Sequence, residues 1–131
     1  MIESAKPIEI TEQTTPEFRN DLNRSSPEDR AHVAAVLRQS YDLLRNQRGS
    51  FFMRVERTQA IVLKGGFSSS LYSMGVGRDI RLIVAVDEDP VFRRTLVTLF
   101  RAVHHDDLDR AYRSLADALY RNQIQRNGRS Q

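Results

Sequence analysis

Four titratable side chains in a row follow an apolar stretch near residue 100. The stretch Val97–Val103 predicts a buried strand, and the residues directly after it are His104, His105, Asp106 and Asp107. Histidine has an unperturbed pKa of about 6.5, which suits proton transfer near neutral pH. The two histidines are therefore candidates for acid–base chemistry at the end of a core strand.

The same four residues also have structural explanations. Asp106 and Asp107 can cap the next helix, because carboxylates accept hydrogen bonds from its first N–H groups and favour the positive end of its dipole. Successive strand residues point to opposite faces, so we expect the imidazoles of His104 and His105 to diverge if the strand continues through both residues. The third histidine, His32, is distant in sequence, and we therefore expect no metal site and no cofactor.

Two arginines lie inside apolar strands, where an unpaired guanidinium is costly. Arg81 precedes the run LIVAV, and Arg101 lies within LFRAV. Such a side chain either forms an ion pair, for which Asp79 and Glu56 are the candidate partners, or points towards an open face. The second alternative makes both arginines candidates for binding an anion.

The length of 131 residues predicts one folded domain. We place this domain at residues 1–122, with a disordered polar tail at 123–131.

The absence of cysteine excludes disulfides and thiolate chemistry. No apolar run approaches the roughly 20 residues of a membrane helix, and the start MIESAKPIEI lacks the apolar segment of a secretory signal. We therefore expect a cytoplasmic protein without membrane contact.

The net charge of +3 is unevenly distributed. Residues 1–30 carry four basic and seven acidic side chains, net −3, whereas residues 31–131 carry sixteen and ten, net +6. Eighteen of the twenty basic residues are arginine, which is suited to bidentate phosphate contacts and to stacking on bases. This pattern fits either a polyanion partner or a solvated basic surface.

Periodicity and turn residues predict an α+β domain, in which a helical hairpin packs on a small, mostly antiparallel sheet. Thr15 and Ser26, each followed by Pro and Glu, mark two helix starts, and the second helix is expected to stop near Gly49. Strands are predicted at residues 6–11, 71–77, 79–86 and 95–103, and a final helix from residue 106. The stretch Phe51–Leu63 fits both a strand and a helix.

Three segments resemble the RelE/ParE superfamily of toxins from type II toxin-antitoxin pairs. They are TTPEFRNDLNRSSPEDRAHVAAVL, VLKGGFSSSLYSMGVGRDIRLIVAVDED and TLVTLFRAVHHDD, which are similar to the family's helical hairpin, its Leu-Lys-Gly loop with the strand after it, and its last strand. The resemblance covers residues 8–112. It implies a curved antiparallel sheet with the hairpin on one side and a C-terminal helix.

In the RNA-cleaving branch of that family, the resemblance implies a ribosome-dependent mRNA endonuclease that blocks translation and is held inactive by a cognate antitoxin. The catalytic residues it implies are Arg81, His105 and Tyr112, with Arg81 and His105 on one concave surface. The RNA-binding residues it implies are Lys64, Arg78, Arg101 and His104. The partners are then the messenger RNA and the ribosome.

This chain departs from the RNA-cleaving members at two positions. Where they alternate lysines on the strand before Arg81, this chain has Ser73 and Gly75. Members of the ParE type also lack such lysines and are taken to inhibit DNA gyrase without cutting RNA. A ParE-like inhibitor and a degenerate homologue without activity are therefore the alternatives to the endonuclease.

Overall fold

The computed structural model describes residues 8–57, 71–89 and 91–129, apart from the side chains of residues 56, 57 and 120–129. The elements in chain order are β1 (Glu9–Thr14), α1 (Pro16–Arg24), α2 (Pro27–Asn46), α3 (Arg48–Arg54), β2 (Glu56–Arg57), β3 (Leu71–Val76), β4 (Ile80–Asp89), β5 (Arg94–His104), a 3-10 helix (His105–Asp107) and α4 (Leu108–Arg129).

Within the described residues, the strands form one curved sheet in the order β1-β5-β4-β3-β2. The edge strand β1 runs parallel to β5, and the pairs β5-β4, β4-β3 and β3-β2 are antiparallel. The ladder between β4 and β5 shifts register between Ile83 and Val84, where Phe100 is the extra residue of a β-bulge. The predicted α+β class, with the helical hairpin on a mostly antiparallel sheet and a C-terminal helix, is confirmed.

Both predicted helix starts are confirmed. The Thr15 hydroxyl accepts a hydrogen bond from the Phe18 N–H at 3.0 Å, and the Ser26 hydroxyl accepts one from the Asp29 N–H at 3.1 Å. The Thr15 hydroxyl also donates to the Phe100 carbonyl at 2.8 Å. The cap that begins α1 therefore also attaches the helix to β5.

Two apolar clusters cover the two faces of the central strands. One joins the hairpin and α3 to the sheet; its fully buried members include Phe18, Leu44, Phe51, Leu82, Val84, Val97 and Leu99. The other joins α4 to the opposite face through Leu71, Ile83, Ala85, Ala111 and Tyr112. The run LIVAV is thus buried on both sides, as an apolar central strand requires.

Several boundaries differ from the expected ones. The first strand is β1 at Glu9–Thr14, three residues later than predicted. The second helix ends at Asn46, and Gly49 lies inside the short helix α3. In the ambiguous stretch Phe51–Leu63, residues 51–54 belong to α3, Val55 follows the end of that helix, and residues 56–57 form β2. Residues 58–63 lie outside the described part.

The last helix continues past the predicted domain boundary. Its backbone extends to Arg129, although we place the end of the domain at residue 122. The division into one domain and a disordered tail stays a prediction. Within the described residues, no helix combines the length and the apolar character needed to cross a membrane.

Candidate functional site

Arg81 lies on β4 between two neighbouring strands. It pairs with Gly75 of β3 and with Val103 of β5. A Cβ atom on Gly75 would lie 3.4 Å from Nη1 of Arg81, so the guanidinium extends across the glycine. The residue is half-buried and forms no hydrogen bond or ion pair with the side chains that the structure describes; that of Glu56 is not among them.

Ser73 and Gly75, where RNA-cleaving RelE/ParE toxins have lysines, differ in their exposure. Ser73 is 2% exposed and belongs to the buried surface of β3. Gly75 is exposed and contributes the space that the Arg81 side chain occupies. Neither position supplies an acid or a base at the surface, whereas Arg81 places a guanidinium beside Gly75.

The guanidinium of Arg101 is bound to a carboxylate within the fold. Its Nε and Nη2 atoms donate to the Asp21 carboxylate at 2.8 and 3.1 Å, and the Ala102 N–H donates to the same carboxylate at 2.9 Å. The hydrogen bond to Asp21 raises the pKa of Arg101 above its ordinary value. The expected partners Asp79 and Glu56 are therefore wrong for Arg101, because α1 brings Asp21 over β5. Its role in RNA binding stays a prediction.

The two histidines meet at the end of β5. Their ring centroids are 4.3 Å apart with an interplanar angle of 31°. The expectation that they diverge is wrong, because the strand ends at His104 and the 3-10 helix that begins at His105 reverses the alternation. Both imidazoles remain accessible, with 47% and 45% of their side-chain surface exposed.

The Asp106 carboxylate lies close to both imidazoles. The Nδ1 atom of His105 lies 3.0 Å from Oδ1 of Asp106, and the Nδ1 atom of His104 lies 3.4 Å from Oδ2. The N–H of Asp106 also donates to Nδ1 of His104 at 3.2 Å, so His104 supplies the side-chain cap of the 3-10 helix. The prediction that Asp106 and Asp107 supply the side-chain cap is wrong for the 3-10 helix, whereas their position in its first turn agrees with the expected interaction with the positive end of the dipole.

Asp79 completes the cluster from the turn between β3 and β4. Its carbonyl accepts a hydrogen bond from the His105 N–H at 2.7 Å, which places the two residues opposite each other beyond the last ladder pair. One ligand atom from each of Asp79, His104 and His105 lies within 4.8 Å of the others. Sequence reasoning missed this cluster, although antiparallel pairing of β4 with β5 places Asp79, directly before β4, beside the end of β5.

Arg81 and His105 lie at the same end of the sheet. Arg81 pairs with Val103, two residues before His105, and Asp79 lies opposite His105. His105 lies in the 3-10 helix beyond β5, so the alternation along the strands does not fix the face on which its side chain lies. No hydrogen bond or ion pair connects the side chains of Arg81 and His105, both of which the structure describes. Their location on one concave surface stays a prediction.

The other predicted site residues lie in different environments. Tyr112 is 7% exposed and packs against Ile83 in the cluster under α4. Its catalytic role stays a prediction, and it would require the hydroxyl to reach the substrate from this buried position. Arg78 is exposed in the turn beside Asp79. Lys64 lies outside the described residues.

A second exposed feature, which sequence reasoning did not identify, lies at the opposite end of β4 and β5. Val91 and Phe92 in the connecting turn are 80% and 66% exposed. The guanidinium of Arg94 lies 5.6 Å from the Phe92 ring centroid. This turn is separated from Arg81 by most of the length of β4, so it is not part of the histidine cluster.

Comparison with known proteins adds little to this description. No protein-family model matches the chain, and no curated protein matches it. Among solved structures, the chain is similar to the conserved hypothetical protein HP0894 from Helicobacter pylori, with 19% identity and a TM-score of 0.36. The match covers 75% of this chain and 97% of that one. A similarity this low assigns neither a fold family nor a function.

Proposed function

We propose that the chain is the toxin of a type II toxin-antitoxin pair and acts as a ribosome-dependent mRNA endonuclease. The observation that carries the proposal is the half-buried residue Arg81, which has no acidic partner among the described side chains and lies at the same end of the sheet as the exposed His105. A guanidinium held partly within the fold is stabilised when an anion binds to it. A phosphodiester is an anion that suits a guanidinium.

The contrast with Arg101 supports this assignment. Both arginines lie on central strands, but Arg101 donates two hydrogen bonds to a buried carboxylate. Arg101 therefore holds α1 in place, whereas Arg81 has no acidic partner among the described side chains. The net charge of +6 over residues 31–131 favours a polyanion.

The geometry of His105 suits proton transfer to and from ribose and phosphate oxygens. In the tautomer with a proton on Nδ1, which lies 3.0 Å from Oδ1 of Asp106, Nε2 of His105 carries the lone pair that accepts the proton of a 2′-hydroxyl. The 2′-oxygen then attacks the adjacent phosphorus and the bond to the 5′-oxygen breaks. The proton taken up by His105 passes to that oxygen, which leaves a 2′,3′-cyclic phosphate and a 5′-hydroxyl. Arg81 stabilises the negative charge that develops on the phosphate oxygens.

A ParE-like inhibitor of DNA gyrase is the second candidate, and one observation favours it. Ser73 is buried and Gly75 has no side chain, so the strand beside Arg81 offers no further acid or base. In the endonuclease, the ribosome has to supply the substrate orientation that these positions do not provide. Naked RNA is then a poor substrate.

Primer-extension mapping of a translated message distinguishes the two candidates. Cells expressing the wild type should show discrete cuts, which disappear in Arg81→Ala and His105→Ala and persist in His32→Ala, the matched control with an exposed histidine on α2. Growth arrest without cuts, unchanged in His105→Ala, would support the gyrase inhibitor. A wild type that neither cuts RNA nor arrests growth would refute the toxin assignment.

The proposed partner is a cognate antitoxin. A protein encoded beside this chain that covers the Arg81 surface with acidic side chains should co-purify with it and restore growth. Free, non-toxic expression of this chain alone would contradict the proposal.

A further inference from the structure

We propose that Asp79, His104 and His105 form a binding site for a divalent transition-metal ion of the Zn²⁺ class. The proposal does not depend on the endonuclease assignment. It rests on the mutual approach of one ligand atom from each residue to within 4.8 Å, among side chains that are all exposed.

The backbone holds the three residues together. The hydrogen bond of 2.7 Å from the His105 N–H to the Asp79 carbonyl closes the end of the β4-β5 ladder. The turn from β5 into the 3-10 helix brings the two imidazoles to a centroid separation of 4.3 Å. The site therefore needs side-chain rotation and no rearrangement of the chain.

The required movement is small. Zinc binds histidine nitrogen and carboxylate oxygen at about 2.0–2.2 Å, so tetrahedral ligand atoms lie about 3.4 Å apart. Contraction from a separation of at most 4.8 Å to that value is at most about 1.4 Å. Exposed side chains cover such distances by rotation about χ1 and χ2.

The donor set selects the class of metal. Two imidazoles and one carboxylate suit Zn²⁺, Fe²⁺, Co²⁺ and related ions, whereas Mg²⁺ and Ca²⁺ prefer oxygen ligands alone. Three protein ligands leave at least one coordination position open, which is typical of a site that can also bind water or a ligand from solution.

The Asp106 carboxylate lies beside the Nδ1 atoms of both histidines. Its oxygens lie 3.0 and 3.4 Å from the Nδ1 atoms of His105 and His104, which leaves Nε2 of each ring available to a metal. Binding through Nε2 requires a proton on Nδ1 of His104. The hydrogen bond of 3.2 Å from the Asp106 N–H must then give way to one from Nδ1–H to the carboxylate.

Calorimetric titration of the tag-free, full-length chain with Zn²⁺ tests the site, with Co²⁺ absorption as a second readout. The wild type should bind one equivalent. Asp79→Asn, His104→Gln and His105→Gln should each weaken binding by more than about tenfold, and Asp106→Ala by about 10- to 100-fold. His32→Gln is the matched control and should bind as the wild type does.

Circular dichroism identifies any variant that fails to fold, and the ring-nitrogen shifts of the wild type in NMR spectra provide a measurement that requires no substitution. Zn²⁺ should shift the Nε2 resonances of His104 and His105 and leave that of His32 unchanged. The proposal would be overturned by a wild type that shows no saturable Zn²⁺ binding. Equal affinity in folded His105→Gln, or loss of binding in His32→Gln, would also overturn it.

Discussion

Asp21→Ala tests how α1 is held on the sheet. The Asp21 side chain is 7% exposed and accepts hydrogen bonds from two nitrogens of Arg101 and from the Ala102 N–H. The alanine removes all three acceptor contacts at once. It leaves a guanidinium and a backbone N–H without partners at a position that is closed to most solvent.

The magnitude follows from the burial of the pair. Removing one partner of a buried ion pair costs about 3–5 kcal/mol. Arg101 keeps 27% of its side-chain surface exposed, so water compensates part of the loss and we expect about 3 kcal/mol. An unfolding entropy of about 2.1 cal/mol/K per residue over 131 residues gives about 0.28 kcal/mol/K, and hence a fall in Tm of about 11 °C.

Thermal and urea unfolding followed by circular dichroism measure this effect. Asp42→Ala is the matched control, because Asp42 is 73% exposed and its 3.3 Å contact with Arg45 lies on the surface of α2. That variant should lose less than about 0.5 kcal/mol. If Asp21→Ala and Asp42→Ala lost the same small amount, the proposed anchoring of α1 through Arg101 would be wrong.

Three further predictions concern other parts of the chain. Burial, followed by the hydrogen bond to Glu12, raises the pKa of Tyr41, so the folded state keeps this proton when the unfolded state has lost it. The free energy of unfolding should therefore decrease above about pH 10, and it should decrease less in Tyr41→Phe. Urea unfolding at several pH values measures this difference, and equal decreases in both proteins would contradict the raised pKa of Tyr41. Gly75→Ala should leave RNA cleavage near the wild-type rate, because the added Cβ lies at contact distance from Arg81. Gly75→Leu should displace the guanidinium and reduce the cleavage rate by up to about 10²-fold. Equal cleavage rates for Gly75→Leu and the wild type in a reconstituted translation assay would show that Arg81 does not act from this position. Zn²⁺ should inhibit cleavage reversibly, because a metal on Nε2 of His105 takes the lone pair that accepts the proton, and a chelator should restore the rate; cleavage unaffected by saturating Zn²⁺ would exclude this competition.

Local signals predicted the elements that position the site. Thr15 and Ser26 begin helices because their hydroxyls accept hydrogen bonds within the first turn, a contact that depends only on neighbouring residues. The alternation in β3 and the apolar runs of β4 and β5 likewise indicate strands without knowledge of the fold. The α+β architecture follows from the order of these elements.

Contacts between residues distant in sequence were not predictable in the same way. The partner of Arg101 is Asp21, which lies 80 positions earlier and reaches β5 because α1 packs there. The approach of His104 and His105 depends on where β5 ends. A strand that continued for one more residue would direct the two imidazoles apart, and the sequence does not determine that end point.

The rate of mRNA cleavage on purified, programmed ribosomes tests the central proposal most directly. It should be measured for the wild type, Arg81→Ala, His105→Ala and the double variant. Each single substitution should lower the rate by about 10²-fold or more, because one removes charge stabilisation and the other proton transfer. The double variant should lose much less than the product of the two factors, since both residues act in one transition state. Wild-type rates in both single variants, or no cleavage by the wild type, would contradict the account.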